Sequence, residues 1–277
     1  MEGKTPSEIL AYTSDTGLAK TQRKILSVLI LAFFAGAYVA FAAQGTNMAA
    51  FNLLAKPETY GLGKSLVGAI FGTALMIIIF AGADLFTGNT LIFVSVLDRR
   101  VTIRQMLFNW LLVYTGNFLG SIFIAWMVYY SGLFSSGSNL LGGITIRIAA
   151  YKTALPFLPA FLLGIMCNWL VCLAVWISYG ARDITGKAIA IFFIIGLFAI
   201  SGFEHCIANM YYVPAGILAK QNHAWLAMSG VSEDQLAGLT WLNFALKNLL
   251  PVTLGNIVGG AGMVGGLYWL ALKKKEG

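Results

Sequence analysis

The sequence predicts an all-α membrane protein, a bundle of six transmembrane helices built from two inverted three-span repeats. Three observations carry that reading. The 277 residues are 58% hydrophobic and only 10% charged, too apolar for a soluble domain of this size. The apolar residues fall into six continuous runs, roughly 25–49, 66–97, 106–130, 155–178, 188–217 and 250–272, each long enough for a hydrocarbon core of about 30 Å. Continuous runs specify helices rather than the alternating strands of a barrel. The second and fifth runs also carry polar residues in their middles, Gly82-Ala-Asp-Leu-Phe-Thr-Gly-Asn-Thr90 and Ile200-Ser-Gly-Phe-Glu-His-Cys-Ile-Ala-Asn-Met210, and Asp84-x4-Asn89 aligns with Glu204-x4-Asn209.

The formal net charge of +7 raises the question of a nucleic-acid partner, and the placement of the charges answers it. With both termini on one side of the membrane, that side collects 12 of the 18 lysines and arginines, including Lys20 to Lys24, Arg99 to Arg104 and Lys273 to Lys275. Such a bias predicts cytoplasmic N- and C-termini in a multi-pass protein of the cell membrane, with the lipid bilayer and not nucleic acid as its partner. Met1 to Lys24 is polar and has no cleavage-like small-residue site, so the first span is expected to act as its own targeting signal. One domain, 1–277, is expected, with a cytoplasmic N-terminal helix within 1–24, a first repeat over 25–131 and a second over 155–272.

Taken in order, Thr5-Pro6-Ser7-Glu8 reads as a helix start, with Thr5 as N-cap, Pro6 in the first turn and Glu8 completing a capping box. Ile9, Leu10 and Leu18 give that helix a weak apolar face, and Gly17 is expected to end or bend it. It either rests on the membrane surface or acts as a gate. As straight helices the second and fifth runs would reach roughly 48 and 45 Å, so each is expected to break into half-helices. Thr87-Gly88-Asn89 and Ser201-Gly202 are the expected turns. Irregular backbone at that depth persists only where it is enclosed by protein or lines a cavity, which points to a pathway.

The third and sixth runs also repeat. Asn109-x7-Asn117 with Gly116-Asn117-x2-Gly120 matches Asn248-x7-Asn256 with Gly255-Asn256-x2-Gly259. Three spans per half is an odd number, so the second half enters from the opposite side. Glycines 255, 259, 262, 265 and 266 are expected to let helices approach closely. Trp110, Trp126, Trp176, Trp241 and Trp269 lie near span ends and read as interfacial anchors, and Ser131 to Gly143 reads as an outer loop. Cys167, Cys172 and Cys206 lie within apolar runs and are expected to be buried free thiols, with no disulfide and no metal site.

His205 is the sharpest candidate for chemistry, because an ionisable group inside a membrane marks function by default. Thr87 and Asn89 on the facing break are expected to hydrogen-bond its ring. Asp84 and Glu204 are expected to be structural, their carboxylates accepting backbone N–H groups and so repairing the breaks, since two carboxylates would repel a permeant anion. Lys152, just outside the fourth run, reads either as a snorkelling interface residue or as an attractor for anions. Phe71, Leu75, Leu85, Val171 and Phe198 are core residues unless they face a lumen, where they would form hydrophobic constrictions. Ser201 and His205 have the spacing of a dyad, but no orienting acid accompanies them, and the motifs of zinc hydrolases and phosphate-binding loops are absent. No enzyme activity and no cofactor are expected.

Gly82-Ala-Asp-Leu-Phe-Thr, Asn168-Trp-Leu-Val-Cys-Leu-Ala-Val-Trp176, Ser201-Gly-Phe-Glu-His-Cys-Ile-Ala-Asn-Met210 and Pro251-Val-Thr-Leu-Gly-Asn-Ile-Val-Gly259 closely resemble the signature segments of the formate/nitrite transporter family. The resemblance implies an aquaporin-like protomer with inverted repeats, assembled as a homopentamer in which each protomer holds its own pore. It implies an outer constriction at Phe71 and Phe198 and an inner one at Leu75, Leu85 and Val171, with His205, Thr87 and Asn168 between them and Lys152 as vestibule attractor. Gly88 and Cys206 depart from it, standing where some members carry serine. The expected cargo is a small monovalent anion, formate first, with hydrosulfide and nitrite as alternatives. A proton-coupled secondary transporter is the alternative class. A water pore is not favoured, because neither break contains Asn-Pro-Ala.

Overall fold

The computed structural model describes residues 3–273, and within them the chain is helical. Lys274 and Lys275, which contribute to the basic bias, lie outside the described residues. Helix α1 (Pro6–Thr21) precedes α2 (Ile25–Leu54), the broken pair α3 (Tyr60–Ala81) and α4 (Phe86–Leu97), and α5 (Ile103–Tyr130). Helix α6 (Leu140–Ala154) then precedes α7 (Phe157–Gly180), the broken pair α8 (Ile184–Ser201) and α9 (Cys206–Ala219), and α10 (Trp241–Leu272). Among the described residues six helices are long and apolar enough to cross a membrane, and α4 and α9 are shorter apolar half-helices. The protein is a multi-pass membrane protein with two inverted repeats and broken second and fifth spans.

Each repeat has a leading helix, which the sequence reading found only for the first. The capping box at Thr5 and Glu8 forms as expected. Gly17 does not end α1, which runs on to Thr21. A β-carbon at Gly17 would lie 2.1 Å from Ser95 Oγ, so glycine there lets α1 lie directly on α4. Nor does α1 rest only on lipid, because Ile9, Leu10, Thr13 and Ser14 are buried. In the second repeat only the first part of Ser131–Gly143 is loop. From Leu140 the chain is helical, with Phe134 and Trp225 packed edge to face at 5.5 Å beside it.

The breaks fall at Gly82–Leu85 and Gly202–His205. Both glycines adopt left-handed φ, +72° and +77°, which a side chain would strain. Thr87-Gly88-Asn89 is therefore not the turn in the first break but the opening turn of α4. Helix pairs are drawn together at matching small residues. A β-carbon at Gly120 would lie 2.0 Å from Phe33 O across the α2–α5 contact, and one at Gly259 2.3 Å from Ile165 O across the α7–α10 contact. Pro251 cannot donate to Lys247 O, and α10 widens into π register over Phe244–Leu249 just ahead of it.

Three tryptophans are not plain interfacial anchors. Trp110 is buried and donates to Asn89 O at 2.9 Å, Trp176 is buried against Tyr268, and Trp269 donates to Asp98 Oδ1 at 2.8 Å. Trp126 and Trp241 are exposed. All three cysteines are buried and free.

Candidate functional site

The two breaks are held by the same set of contacts, turned over. At the first, Asn117 of α5 accepts the Phe86 N–H at 2.9 Å and donates to Ala32 O and Asp84 O. At the second, Asn256 of α10 accepts the Cys206 N–H at 2.9 Å and donates to Gly164 O and Glu204 O. The repair expected of the carboxylates is thus made by these asparagines. A neutral amide has both a donor and an acceptor for the broken ends, which an ionised carboxylate lacks.

Asp84 and Glu204 instead meet cations. Lys152 Nζ lies 2.8 Å from Glu204 Oε1, whose other oxygen accepts from Asn209, and Asn209 in turn donates to Asn248 Oδ1. Asn248 closes the ring by donating to Lys152 O at 3.0 Å. On the face that carries the termini, Lys20 Nζ lies 3.1 Å from Asp84 Oδ1 and also donates to Asn89. Asn89 donates to Asn109, and Asn109 donates back to Lys20 O. Arg23 adds a second cation to Asp84 at 2.5 Å.

Lys20 therefore stands to α1 as Lys152 stands to α6, a correspondence the sequence reading missed because it counted Lys20 only towards topology. A usable signal was present: each lysine lies five residues ahead of the first membrane-spanning helix of its repeat, which begins at Ile25 or Phe157. Lys152 is likewise inside the fold and not beyond it, in the last turn of α6.

A cavity of about 360 Å³ enters from the face opposite the termini and is lined by Lys64, Arg147, Lys152, Glu204, Tyr212, Phe71, Phe198 and His205, among others. It narrows to Phe71 and Phe198, whose rings meet edge to face with centroids 5.5 Å apart. His205 lies next to them, its ring 6.1 Å from that of Phe198. The histidine is 4% exposed, yet the cavity reaches it, so it is not sealed in a solid bundle.

The backbone sets the His205 tautomer. Nδ1 accepts the Ala208 N–H at 3.0 Å and so serves as the N-cap of α9. In the neutral ring the proton then sits on Nε2, which lies 3.0 Å from Thr87 Oγ1. That leaves the Thr87 hydroxyl proton for another acceptor. Thr87 is held in turn: its carbonyl receives Thr90 Oγ1 at 2.6 Å, Asn168 Nδ2 at 3.2 Å and Cys172 Sγ at 3.2 Å.

Asn168 also donates to Asn256 O at 2.7 Å. Its amide lies in the packing beneath Thr87 and is fully buried. Of the two partners expected for the imidazole, Thr87 is there and Asn89 is not. Leu75, Leu85 and Val171 are all buried in the core. Ser201 donates to Leu197 O at 2.8 Å, so it makes no dyad with His205.

Residues 7–270 match the sequence profile of the family described as Formate/nitrite transporter. The chain is 37% identical over 263 residues to the formate channel FocA of Haemophilus influenzae, covering 94% of this chain and 92% of that protein. It is 34% identical over 268 residues to FocA of Escherichia coli, covering 96% and 93%. Among solved structures it resembles a pentameric formate channel with formate bound, with a TM-score of 0.77 and 36% identity over 90% of this chain and 98% of that one. A second, an FNT family ion channel, gives a TM-score of 0.78 at 28% identity over 95% and 98%. Two inverted repeats whose broken spans meet beside a buried histidine thus come with a match along nearly the whole chain, and the protein belongs to the formate/nitrite transporter family.

Proposed function

We propose that this protein is a channel for small monovalent weak-acid anions, with formate as its cargo. The observation that carries this reading is the cavity that leads past basic side chains to the Phe71–Phe198 pair and ends at His205. A bare anion entering an oily constriction faces several kcal/mol of desolvation cost. A weak acid avoids most of it. The basic vestibule draws in the anion and favours its charged form. Beyond that field the acid is more easily protonated, and it crosses as the neutral molecule past His205 and Thr87. Thr87, with its hydroxyl proton unspent on the imidazole, donates to the passing carboxyl group. Asn168 positions Thr87, while Leu75, Leu85 and Val171 form the inner constriction.

The Lys20–Asp84 assembly plays the part of Lys152–Glu204 on the other face, so a solute meets the same order of groups in either direction. Both breaks are pinned by buried asparagines, which supports a fixed pore over alternating access. The pentameric relative and the basic bias support a homopentamer in the cell membrane with both termini cytoplasmic. The test is stopped-flow uptake of formate, nitrite and hydrosulfide into proteoliposomes, with internal pH and current recorded together. Formate entry with one proton per molecule and no net current is the expected result. Current without proton movement would overturn the neutral-acid route, and faster entry of nitrite or hydrosulfide would reassign the cargo.

A further inference from the structure

The lysine that faces the cavity most directly is already neutralised. Lys152 Nζ sits 2.8 Å from Glu204 Oε1, and the two side chains are 12% and 3% exposed. A close, buried pair presents little net charge to a solute at a distance. Two further cations line the same cavity, Lys64 and Arg147. Lys64 donates one proton to Ala199 O at 3.1 Å, at the end of α8. Arg147 donates from Nε to Ser229 O at 2.8 Å. Both of these partners are neutral carbonyls, and neither cation forms an ion pair among the described residues. With three cations and one carboxylate lining it, the cavity holds a net two positive charges, and Lys64 and Arg147 supply the surplus.

The cavity wall also carries an unspent donor. Asn47 is 2% exposed, lines the cavity, and its Nδ2, which itself has almost no exposed surface, has no hydrogen-bond partner among the described residues. A buried amide N–H without an acceptor is costly, and a small rotation of the side chain towards the cavity gives it the oxygen of an anion as acceptor.

We propose that the vestibule is a binding station for one small oxyanion, in which Lys64 and Arg147 set the attracting charge and Asn47 donates a hydrogen bond that orients the ion. This rests on the transport reading and adds residues to it. Ion pairing makes Lys152 a support for Glu204 and the second break, and the long-range attraction passes to the two cations nearer the mouth. Attraction of this kind raises local anion concentration and weakens as salt screens it.

The test uses full-length protein in proteoliposomes, with initial formate uptake measured against formate concentration at low and high ionic strength. K64Q and R147Q are each expected to raise the half-saturating concentration about three- to tenfold, to leave maximal flux within about twofold, and to flatten the salt dependence. N47L is expected to raise the half-saturating concentration about threefold without changing the salt dependence. K64R and R147K are expected to restore wild-type behaviour, which a lost packing contact would not allow.

Wild-type uptake with unchanged half-saturation and salt dependence in both charge variants would overturn the proposal. So would a fall in maximal flux alone. A wild-type protein that passes no formate defeats the transport reading, and the station is then judged on thermal unfolding of the purified protein. Stabilisation by sodium formate that is absent in the K64Q/R147Q double variant supports it, and equal stabilisation of both proteins overturns it.

Discussion

Asn117 on α5 and Asn256 on α10 make the same three hydrogen bonds at opposite helix breaks, each accepting the first N–H of a half-helix and donating to two carbonyls. Both are fully buried. In lipid the broken ends have no water to turn to, so these amides make interrupted helices tolerable at membrane depth. N117A and N256A each leave the first N–H of a half-helix and one carbonyl of the break without a partner, and each is expected to cost about 2–5 kcal/mol. Thermal unfolding in detergent checks this. Because the bonding is the same at both sites, the two losses should be similar, and a wild-type midpoint in either variant removes the asparagine from its assigned role.

The Lys152–Glu204 pair predicts a non-additive result. K152M strands a buried carboxylate that, among the described residues, keeps only Asn209 as partner, which is expected to cost about 3–5 kcal/mol. Adding E204Q removes the stranded charge while leaving an oxygen for Asn209. The double variant should therefore unfold at a higher temperature than K152M alone. Additive losses would mean that the two groups do not act as a pair.

At His205 the ring does two jobs on two atoms, and they can be separated. Asparagine is a good N-cap, so H205N is expected to keep α9 intact, whereas H205L should lose about 1 kcal/mol and exchange amide hydrogens faster at Ala208. Thr87 bears on passage as well as on the fit of the ring, since its hydroxyl oxygen accepts from His205 Nε2. T87S keeps the hydroxyl and should retain flux, while T87V should lower formate uptake about tenfold, in line with the loss of one hydrogen bond to the solute. Equal uptake by T87S and T87V would exclude that bond.

How much of this was legible in the sequence differs from element to element. The six spans, both breaks and the Thr87–His205 pair follow from hydropathy and from polar residues that lipid does not tolerate. The exact turn at the first break does not, because Thr87-Gly88-Asn89 carries stronger turn chemistry than Gly82, and only the left-handed φ of Gly82 shows which glycine bends the chain. Helix α6 was hidden because Gly142, Gly143, Arg147 and Lys152 dilute its hydropathy, although its buried face packs on α9. The partners of Asp84 and Glu204 come from distant parts of the chain, so a local reading saw isolated carboxylates and gave them the nearest backbone. Asn117 and Asn256 were visible as a repeat, but nothing short of the fold says what an asparagine in a repeat holds.

The contact between α4 and α10 at the terminal face carries a pH dependence. Asp98 accepts from Lys273 at 2.5 Å and from Trp269 at 2.8 Å. Partial burial opposes its charge, and these hydrogen bonds together with the Lys273 charge more than offset that, so its pKa is held below the ordinary carboxylate value. A depressed folded-state value means that the contact contributes stability above the ordinary carboxylate range and loses it as pH falls through the lowered value. Amide protection at the end of α10, taken relative to the intrinsic exchange rate at each pH, should fall on acidification in that window. D98N should exchange faster at neutral pH and lose the pH dependence, and an unchanged profile in D98N would place the titrating group elsewhere.

Phe71 and Phe198 meet edge to face across the end of the cavity, an arrangement that fills the gap between α3 and α8 with two rings. Gly68 makes this crossing close, since a β-carbon there would lie 2.9 Å from Gly196 O. If that pair is what excludes water and bare ions, removing one ring should relax size and charge selection together. F198A is expected to admit acetate at a rate approaching that of formate and to carry a measurable current. F198L, which refills most of the volume with apolar atoms, should keep the proton-linked, current-free behaviour of the wild type. Paired uptake and current recordings in proteoliposomes decide it: acetate exclusion and zero current in F198A would move the selective barrier deeper, to Leu75, Leu85 and Val171.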